Sequence, residues 1–253
     1  MGLKHITTRF ENEPRFVLLH IYRYFLRQYL PIKFLGAVTA ARYILHPVSL
    51  ARKVMDESDH CTLCADGALE FAVKQNVPIE FVEGRDYPPW DGPNRFNDNP
   101  GDTVTAIAMD CKGNLACAAS SGGIPGKSKG RVGDVPQIGC GGYANKCGAA
   151  AACGHGESII KMTVAKEVVS NMEKLNQSAQ EAADTALQEV NLRLMNEPYV
   201  AVTAISREGS FGMAAINASA MPWASISDRD HDHVIVLRSG TQPGVIHEEV
   251  EIE

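Results

Sequence analysis

The order of hydrophobic and polar residues divides the chain into a helical N-terminal part, a polar connection and a C-terminal part of strands and helices. Residues 36–77 place apolar side chains at helical spacing, and Pro47 stands where a helix can begin. Proline, glycine and acidic residues then crowd residues 78–101, which predicts an exposed linker that ends at Asp102. An accessible connection therefore separates the two parts.

After this linker the pattern is that of a β-hairpin. The β-branched run Thr103–Met109 is followed by a turn at residues 110–113 and a returning strand at residues 114–119. A Gly-rich region of turns comes next, and helical spacing then predicts helices over residues 157–175 and 178–195. Three more strands are predicted at residues 199–206, 211–218 and 234–237. This order predicts an α+β fold with helices layered outside the sheets.

The N-terminal residues 16–35 are apolar and aromatic, but charged side chains and Pro31 interrupt them. A membrane-spanning helix needs about 20 residues with few charges, and a secretory signal needs an uninterrupted apolar core. We therefore expect an amphipathic helix that packs on the domain. A membrane-surface module built around the same helix is the alternative.

Charge and cysteine content narrow the class of protein. The formal net charge is -6, which argues against a nucleic-acid partner because such a partner needs a basic face. The seven cysteines are not spaced as a disulfide framework, so we expect thiols in a reducing, cytoplasmic compartment. Cys61 and Cys64 form a single CxxC without a second pair, and we interpret them as half-buried core thiols rather than metal ligands.

Thr103 begins a predicted strand directly after the linker, which is an unusual position for a reactive group unless the chain is cut there. Cleavage between Asp102 and Thr103 would give Thr103 a free α-amine beside its hydroxyl. An α-amine has a pKa near about 8 and can act as the general base for the hydroxyl of the same residue. A threonine at the start of a strand is more often structural, so the surrounding sequence has to decide.

That surrounding sequence resembles a known family. Residues 102–134, which end in GRVGD, and residues 139–161, which contain GHGE, resemble the β-subunit of the isoaspartyl peptidase/L-asparaginase family of N-terminal-nucleophile hydrolases. QEAADTAL at residues 180–187 and SAMPWA at residues 219–224 continue the resemblance. Upstream, residues 35–72 resemble the end of the α-subunit of that family.

The resemblance implies a four-layer αββα sandwich and a homo-oligomer of processed αβ protomers, with no metal in the chemistry and no cofactor. It divides the chain into an unrelated N-terminal segment (1–34), a partial α-subunit-like region with the linker (35–102) and a β-subunit-like region (103–253). The opening strand, first helix and Gly-rich loop of the family have no counterpart in this sequence. A sheet edge is therefore expected to need cover from residues 1–34.

The resemblance also implies the chemistry. Thr103 would be the nucleophile of a threonine-type amidohydrolase, released by autocatalytic cleavage after Asp102. Such a hydrolase cleaves L-asparagine and β-aspartyl (isoaspartyl) dipeptides through an acyl-enzyme. Ser121 stands where the family has a threonine, so it keeps a hydroxyl near the nucleophile.

The remaining implied residues bind the substrate or stabilise its oxyanion. Arg131 and Asp134 would hold the α-carboxylate and the α-amine, since a guanidinium pairs bidentately with a carboxylate and an aspartate pairs with an ammonium. Gly154 would donate its backbone N–H to the oxyanion, with Cys153 beside it, and Gly154 and Gly156 would border the substrate.

Three positions depart from the family pattern. Thr105 replaces a glycine, Cys153 replaces a threonine that helps to stabilise the oxyanion, and Ala119 replaces a hydroxyl residue. These departures make an inactive or weakly active truncated paralogue the main alternative. A glycosylasparaginase-like amidohydrolase is a further alternative that matches GHGE and MPWA less well. His155 is interpreted as a structural or loop-orienting residue, because the amine of the nucleophile does the acid–base work.

Overall fold

The computed structural model describes much of the chain, and the described residues form three sheets and five helices. The described residues are 15–21, 34–79, 103–124, 127–128, 130–194, 199–217, 223–225, 234–238 and 246–251. Most of the predicted linker, together with Asp102, lies outside them. The exposure of the linker therefore stays a prediction.

Strands from both sides of the linker share the first sheet, whose strand order is β3-β2-β1-β5-β4. Its members are β1 (Arg15–Ile21), β2 (Leu35–Ala41), β3 (Thr62–Cys64), β4 (Thr103–Met109) and β5 (Leu115–Ser121). β2 and β3 run parallel, and the other neighbours are antiparallel. The predicted helical and strand-rich parts of the chain are thus joined within one sheet.

The N-terminal segment contributes a strand where the sequence predicted a helix. β1 lies between β2 and β5, with Leu18 opposite Ala37 on one side and Ala119 on the other. Without β1, the facing edges of β2 and β5 would have unpaired N–H and C=O groups, so pairing outweighs the local helical pattern. The helix predicted for residues 16–35 is wrong at β1, and residues 22–33 lie outside the described part of the chain.

The stretch predicted as helical, residues 36–77, contains both helices and strands. Helix α1 (Pro47–Glu57) begins at the predicted proline and buries Leu50 and Val54, and α2 is Ala65–Lys74. β2 and β3 were not predicted. Consecutive residues of β2 are buried, so this strand lacks the alternation of apolar and polar residues that would have distinguished it from a helix.

The hairpin of β4 and β5 confirms the strand prediction after the linker. The Asp110 carboxylate accepts hydrogen bonds from the backbone N–H groups of Lys112 and Asn114, each at 2.8 Å, which fixes the turn. From this turn the antiparallel pairing continues without a register shift to Thr103, which lies opposite Ser121. The turn therefore determines which residue faces Thr103.

The second sheet is antiparallel, with strand order β6-β7-β8-β9. Its members are β6 (Gly142–Ala144), β7 (Gly148–Gly154), β8 (Val200–Ser206) and β9 (Phe211–Ile216). β8 and β9 were predicted, whereas β6 and β7 lie in the region interpreted only as Gly-rich turns. Alanine and glycine have weak strand preferences, and burial of the alanines at residues 149–152 explains why β7 is nevertheless a strand.

Three helices follow β7: α3 (Gly156–Met162), α4 (Val164–Leu175) and α5 (Ala179–Arg193). The single helix predicted over residues 157–175 is interrupted at Thr163, whose φ of +46° is left-handed. The predicted start of α5 is confirmed, because Ser178 and Glu181 form a reciprocal capping box.

Each of these two sheets packs against its own helices. Buried residues of α3, α4 and α5 form one core with β7, β8 and β9, and residues of α1 and α2 form another with β2. Leu115 and Cys117 of β5 pack against Ala144 and Ala149 of the second sheet. The α+β class predicted from the sequence is confirmed.

A third sheet contains β10 (Trp223–Ser225), β11 (Val234–Arg238) and β12 (Ile246–Glu251). β11 confirms the strand predicted at residues 234–237, and β12 was not predicted. Among the helices of the described segments, none is long and apolar enough to cross a membrane.

Candidate active site

Thr103 and Ser121 form the first group of the candidate site. They are opposite residues at the open end of the β4–β5 hairpin, and their side-chain oxygens lie 2.9 Å apart. Ser121 is buried, and its oxygen also accepts a hydrogen bond of 3.0 Å from the backbone N–H of Gly123. We call Thr103 and Ser121 the hydroxyl pair. Its geometry allows one hydroxyl to donate a hydrogen bond to the other.

Thr105 and Ala119 face each other in the same hairpin, two residues along the strands from Thr103 and Ser121. Both positions depart from the family pattern, and they face each other in a ladder without irregularity. A β-branched side chain suits a strand, so Thr105 fits the folded hairpin. Its Cβ is expected to crowd the strained geometry of cleavage before Thr103 and to slow that cleavage, and this effect stays a prediction.

Arg131 and Glu157 form an ion pair with two hydrogen bonds. Nε of Arg131 donates to Oε1 of Glu157 at 2.9 Å, and Nη2 donates to Oε2 at 3.0 Å. The Arg131 side chain is only 12% exposed, against 39% for Glu157. These hydrogen bonds hold the pKa of the Glu157 carboxyl below its usual range. The guanidinium expected to bind a substrate carboxylate thus already binds a carboxylate of its own chain.

Asp134 lies beside this ion pair and is buried. Burial raises the pKa of its carboxyl to about 6, although Arg131 favours the charged form. Within the described residues, Oδ2 of Asp134 has no hydrogen-bond partner. A Cβ on Gly156 would lie 2.9 Å from Oδ1 of Asp134 and 2.6 Å from Nη2 of Arg131, so only glycine leaves room for both.

We call Arg131, Asp134 and Glu157 the charged cluster. It approaches the hydroxyl pair through Gly123, because a Cβ on Gly123 would lie 3.5 Å from Nη1 of Arg131. The same glycine donates the hydrogen bond to Ser121. A short segment that ends at Gly123 therefore connects the two groups.

Cys153 and Gly154 lie on the second sheet, at the end of β7, rather than in the β4–β5 hairpin. Strands β4 and β7 are in contact across the two sheets. Gly154 has a φ of +135°, and a Cβ there would lie 2.4 Å from the carbonyl oxygen of Tyr199. A side chain at this position would force the strand apart, which explains the glycine. Cys153 is partly buried and packs against Ala201 and Met213.

His155 follows Gly154 and is attached to the start of α3. Its Nδ1 lies 2.7 Å from Oγ of Ser158, and its Nε2 lies 3.6 Å from Oε2 of Glu157. Its backbone N–H donates to the carbonyl oxygen of Tyr199 at 2.9 Å. These contacts are those of a residue that orients a loop.

The two cysteines of the CxxC motif do not contribute to this site. Cys61 and Cys64 are both exposed, so the prediction of half-buried core thiols is wrong. Cys61 precedes the short edge strand β3 and Cys64 is its last residue, and burial of this strand is incomplete. Within the described ranges, no cluster of three or more His, Cys, Asp or Glu side chains is placed to hold a metal ion.

Glu157 stands in the GHGE string, but the sequence predicts no role for it. Its partner Arg131 is 26 positions earlier, so no local spacing indicates the contact. Two glycines beside Arg131 give a usable signal in retrospect. Gly133 and Gly156 each leave space that the guanidinium fills, since a Cβ would lie 2.8 Å from Nη1 or 2.6 Å from Nη2.

Comparisons with known proteins identify relatives. A family model described as asparaginase matches residues 33–87 and 83–236. The isoaspartyl peptidase/L-asparaginase of Xenopus laevis is 39% identical over 210 residues, which are 79% of this chain and 66% of that protein. Proteins of the same name from Danio rerio and Homo sapiens are 40% and 37% identical, over 75% and 76% of this chain and 64% and 65% of their own lengths. The chain spans just under two thirds of these relatives.

Proposed function

This chain belongs to the asparaginase family, and from that membership we propose that it is a threonine-type amidohydrolase. Its proposed substrates are L-asparagine and β-aspartyl (isoaspartyl) dipeptides, in keeping with the names of its relatives. The observation that best supports this proposal is the hydroxyl pair, in which Oγ1 of Thr103 lies 2.9 Å from Oγ of Ser121. The resemblance to the family implies that Thr103, the first residue of β4, is the nucleophile.

The first proposed step is cleavage of the chain. The peptide bond between Asp102 and Thr103 breaks with uptake of one water, which leaves a carboxyl group on Asp102 and an α-amine on Thr103. Thr103 then has a nucleophile and a base in one residue, because an α-amine with a pKa near about 8 is partly neutral at pH 7. Ser121 supports the nucleophile by its hydrogen bond to Oγ1.

Hydrolysis then follows in two stages. Oγ1 of Thr103 attacks the side-chain carbonyl of the substrate while the α-amine accepts the hydroxyl proton, and the leaving ammonia or amine takes that proton as the C–N bond breaks. Water, activated by the same amine, cleaves the resulting ester and releases aspartate. The backbone N–H of Gly154, with Cys153 beside it, is proposed to stabilise the oxyanion.

The charged cluster is proposed to bind the α-groups of the substrate. Arg131 would bind the α-carboxylate and Asp134 the α-ammonium, with Gly154 and Gly156 beside them. The unpartnered Oδ2 of buried Asp134 supports this assignment, because a buried carboxylate oxygen without a donor is costly and an ammonium would satisfy it. Gly156 supports it as well, since its lack of a side chain lets Arg131 and Asp134 both approach the same point of the backbone.

We further propose the four-layer αββα sandwich and a homo-oligomer of processed αβ protomers for this chain. The packing of α1 and α2 on the first sheet and of α3 to α5 on the second supports the layering. The family match, which begins at residue 33, supports the proposed boundary of the unrelated segment at residue 34. We propose a reducing, cytoplasmic compartment because the seven cysteines are not spaced as a disulfide framework.

Intact-mass measurement during prolonged incubation tests the proposal. We expect the 27.4 kDa chain to convert slowly into two non-covalently joined fragments, the second beginning at Thr103. Thr103→Ala should stay whole and hydrolyse neither asparagine nor β-aspartyl dipeptides, and Thr203→Ala, the same replacement in strand β8 of the second sheet, serves as the matched control. A parent chain that stays whole and inactive would favour the inactive paralogue, whose support is the departure at Cys153.

A further inference from the structure

We propose that Glu157 is a positioning residue that holds Arg131 in the orientation in which it binds the carboxylate of the substrate. This inference rests on the proposed function and deepens it, because it concerns the same site. The two hydrogen bonds from Arg131 to Glu157, at 2.9 and 3.0 Å, are its starting point. Each is charge-assisted, so together they restrict the rotation of the guanidinium.

The two hydrogen bonds use one edge of the guanidinium and leave the other edge available. Glu157 occupies Nε and one N–H of Nη2. Nη1 lies on the far side, against Gly133, where a Cβ would come within 2.8 Å. The substrate carboxylate is therefore expected at the Nη1 side of Arg131, because Glu157 already occupies the Nε–Nη2 edge.

That available side lies beside Gly123, which contacts Ser121 of the hydroxyl pair. A Cβ on Gly123 would lie 3.5 Å from Nη1 of Arg131, and the N–H of Gly123 donates to Ser121 of the hydroxyl pair. Gly156 borders Nη2 closely enough that a side chain there would displace the guanidinium. Glu157 and the two glycines thus fix Arg131 with Nη1 beside Gly123, whose N–H donates to Ser121, the partner of Thr103.

Two effects of Glu157 oppose each other, and their sizes decide the expected result. Its negative charge weakens the attraction of Arg131 for an anion, while its hydrogen bonds reduce the orientations that Arg131 must give up on binding. The Arg131 side chain is only 12% exposed, so few water molecules could replace Glu157 and hold the guanidinium in its orientation if Glu157 were removed. We expect orientation to dominate, because a misplaced hydrogen-bond donor loses most of its charge-assisted interaction.

The test compares substrates with and without the α-carboxylate. Glu157→Ala should raise KM for a β-aspartyl dipeptide about tenfold, because about one charge-assisted hydrogen bond to the substrate is lost. The variant should change kcat by less than about threefold. KM for the corresponding dipeptide with an α-carboxamide on the aspartyl residue should stay the same. Glu157→Gln, which keeps one acceptor oxygen and the side-chain shape, should fall between Ala and the parent. Glu189→Ala removes the partner of Arg193 on the exposed surface of α5 and is the matched control.

A general loss of folding would lower kcat for both substrates equally, and thermal unfolding of each variant detects it. A KM that is unchanged or lower in both Glu157 variants would overturn the inference while leaving the proposed function intact. L-Aspartate binding by calorimetry separates the two ideas further, because it needs no turnover. If the parent binds aspartate but hydrolyses nothing, the proposed function fails, and a tenfold weaker binding in Glu157→Ala still supports the inference. If the parent binds no aspartate, the inference about Glu157 fails.

Discussion

The hydroxyl pair and the charged cluster are held in place in different ways. Thr103 and Ser121 face each other because the β4–β5 ladder runs to them without a register shift, so backbone hydrogen bonds set their distance. Arg131 and Asp134 lie in an irregular segment between strands, where side-chain contacts with Glu157 and space left by glycines set their positions. A group fixed by a ladder tolerates replacement of its neighbours, whereas a group fixed by side chains does not.

The largest expected effect is at Arg131. Arg131→Lys should lower kcat/KM for β-aspartyl dipeptides by about 10²–10³, because an ammonium cannot bind Glu157 and the substrate carboxylate at the same time with the geometry of a guanidinium. Steady-state kinetics of the cleaved protein measure this. Arg193→Lys is the control, since Arg193 pairs with Glu189 on the surface of α5. Kinetics equal to those of the parent would show that Arg131 is only structural.

The next effect concerns a residue held by a strand. Cys153→Thr should raise the hydrolysis rate by roughly one to two orders of magnitude, because a hydroxyl donates a stronger hydrogen bond to an oxyanion than a thiol does. Since Cys153 is fixed by the β7–β8 ladder opposite Ala201, the new side chain should not move its neighbours.

The matched control is Cys147→Thr, which makes the same change in the turn that leads into β7. Turnover of asparagine by fully cleaved protein is the measurement. If Cys153→Thr protein is cleaved and its turnover equals that of the parent, the placement of residue 153 beside the oxyanion is wrong.

The two groups should also differ in their response to pH. Burial raises the pKa of Asp134 to about 6, so this carboxyl becomes neutral as the pH falls through 6 and can no longer pair with the substrate ammonium. The limb of the Thr103 α-amine lowers kcat/KM about tenfold per pH unit below about 8, and we expect the fall to steepen to about a hundredfold per pH unit below 6, where Asp134 is also protonated. Asp134→Asn should lack this limb and should retain the separate limb near pH 8 that comes from the α-amine of Thr103.

The stability of the protein should change in the opposite direction. A carboxyl whose pKa is raised on folding makes the folded state bind more protons, so the free energy of unfolding falls as the pH rises from about 4 to 6. At pH 7, Asp134→Asn should therefore be more stable than the parent by about 1–3 kcal/mol, and at pH 4 the gain should disappear. Urea unfolding at both pH values checks this. A variant that is equally destabilised at both would mean that Asp134 contributes structural hydrogen bonds.

The sequence alone predicted the elements whose positions depend on local β-pairing and on helix caps. The hairpin that presents Thr103, the start of α1 at Pro47 and the start of α5 at Ser178 depend on neighbours within a few positions, and all three are confirmed. The family resemblance identified Arg131 and Asp134 as candidates, and the structure places them together with Gly156.

The elements that were missed depend on distant partners. β1 is a strand because β2 and β5 lie on either side of it, and it falls outside the residues that the family model matches. β7 is a strand in spite of its alanines, because two neighbouring strands pair with it. The sequence does not indicate the role of Glu157, because its contact with Arg131 spans 26 positions. In each case a contact with residues distant in the sequence determines the structure, and no local pattern in the sequence indicates that contact.

The smallest expected effect is at Ser121, and it tests whether the ladder alone fixes the hydroxyl pair. Ser121→Thr keeps the hydroxyl and adds one methyl group, so turnover should stay within about threefold of the parent. Ser121→Ala removes the hydrogen bond to Oγ1 of Thr103 and leaves the N–H of Gly123 without its acceptor, so kcat should fall about tenfold or more. KM should change little in either variant, because Ser121 does not contact the α-groups of the proposed substrate. Rates of cleavage before Thr103 and of asparagine turnover, measured on the same preparations, give both comparisons. A large loss in Ser121→Thr would mean that the buried side of β5 has no room for a methyl group and that packing, besides register, sets the distance within the hydroxyl pair.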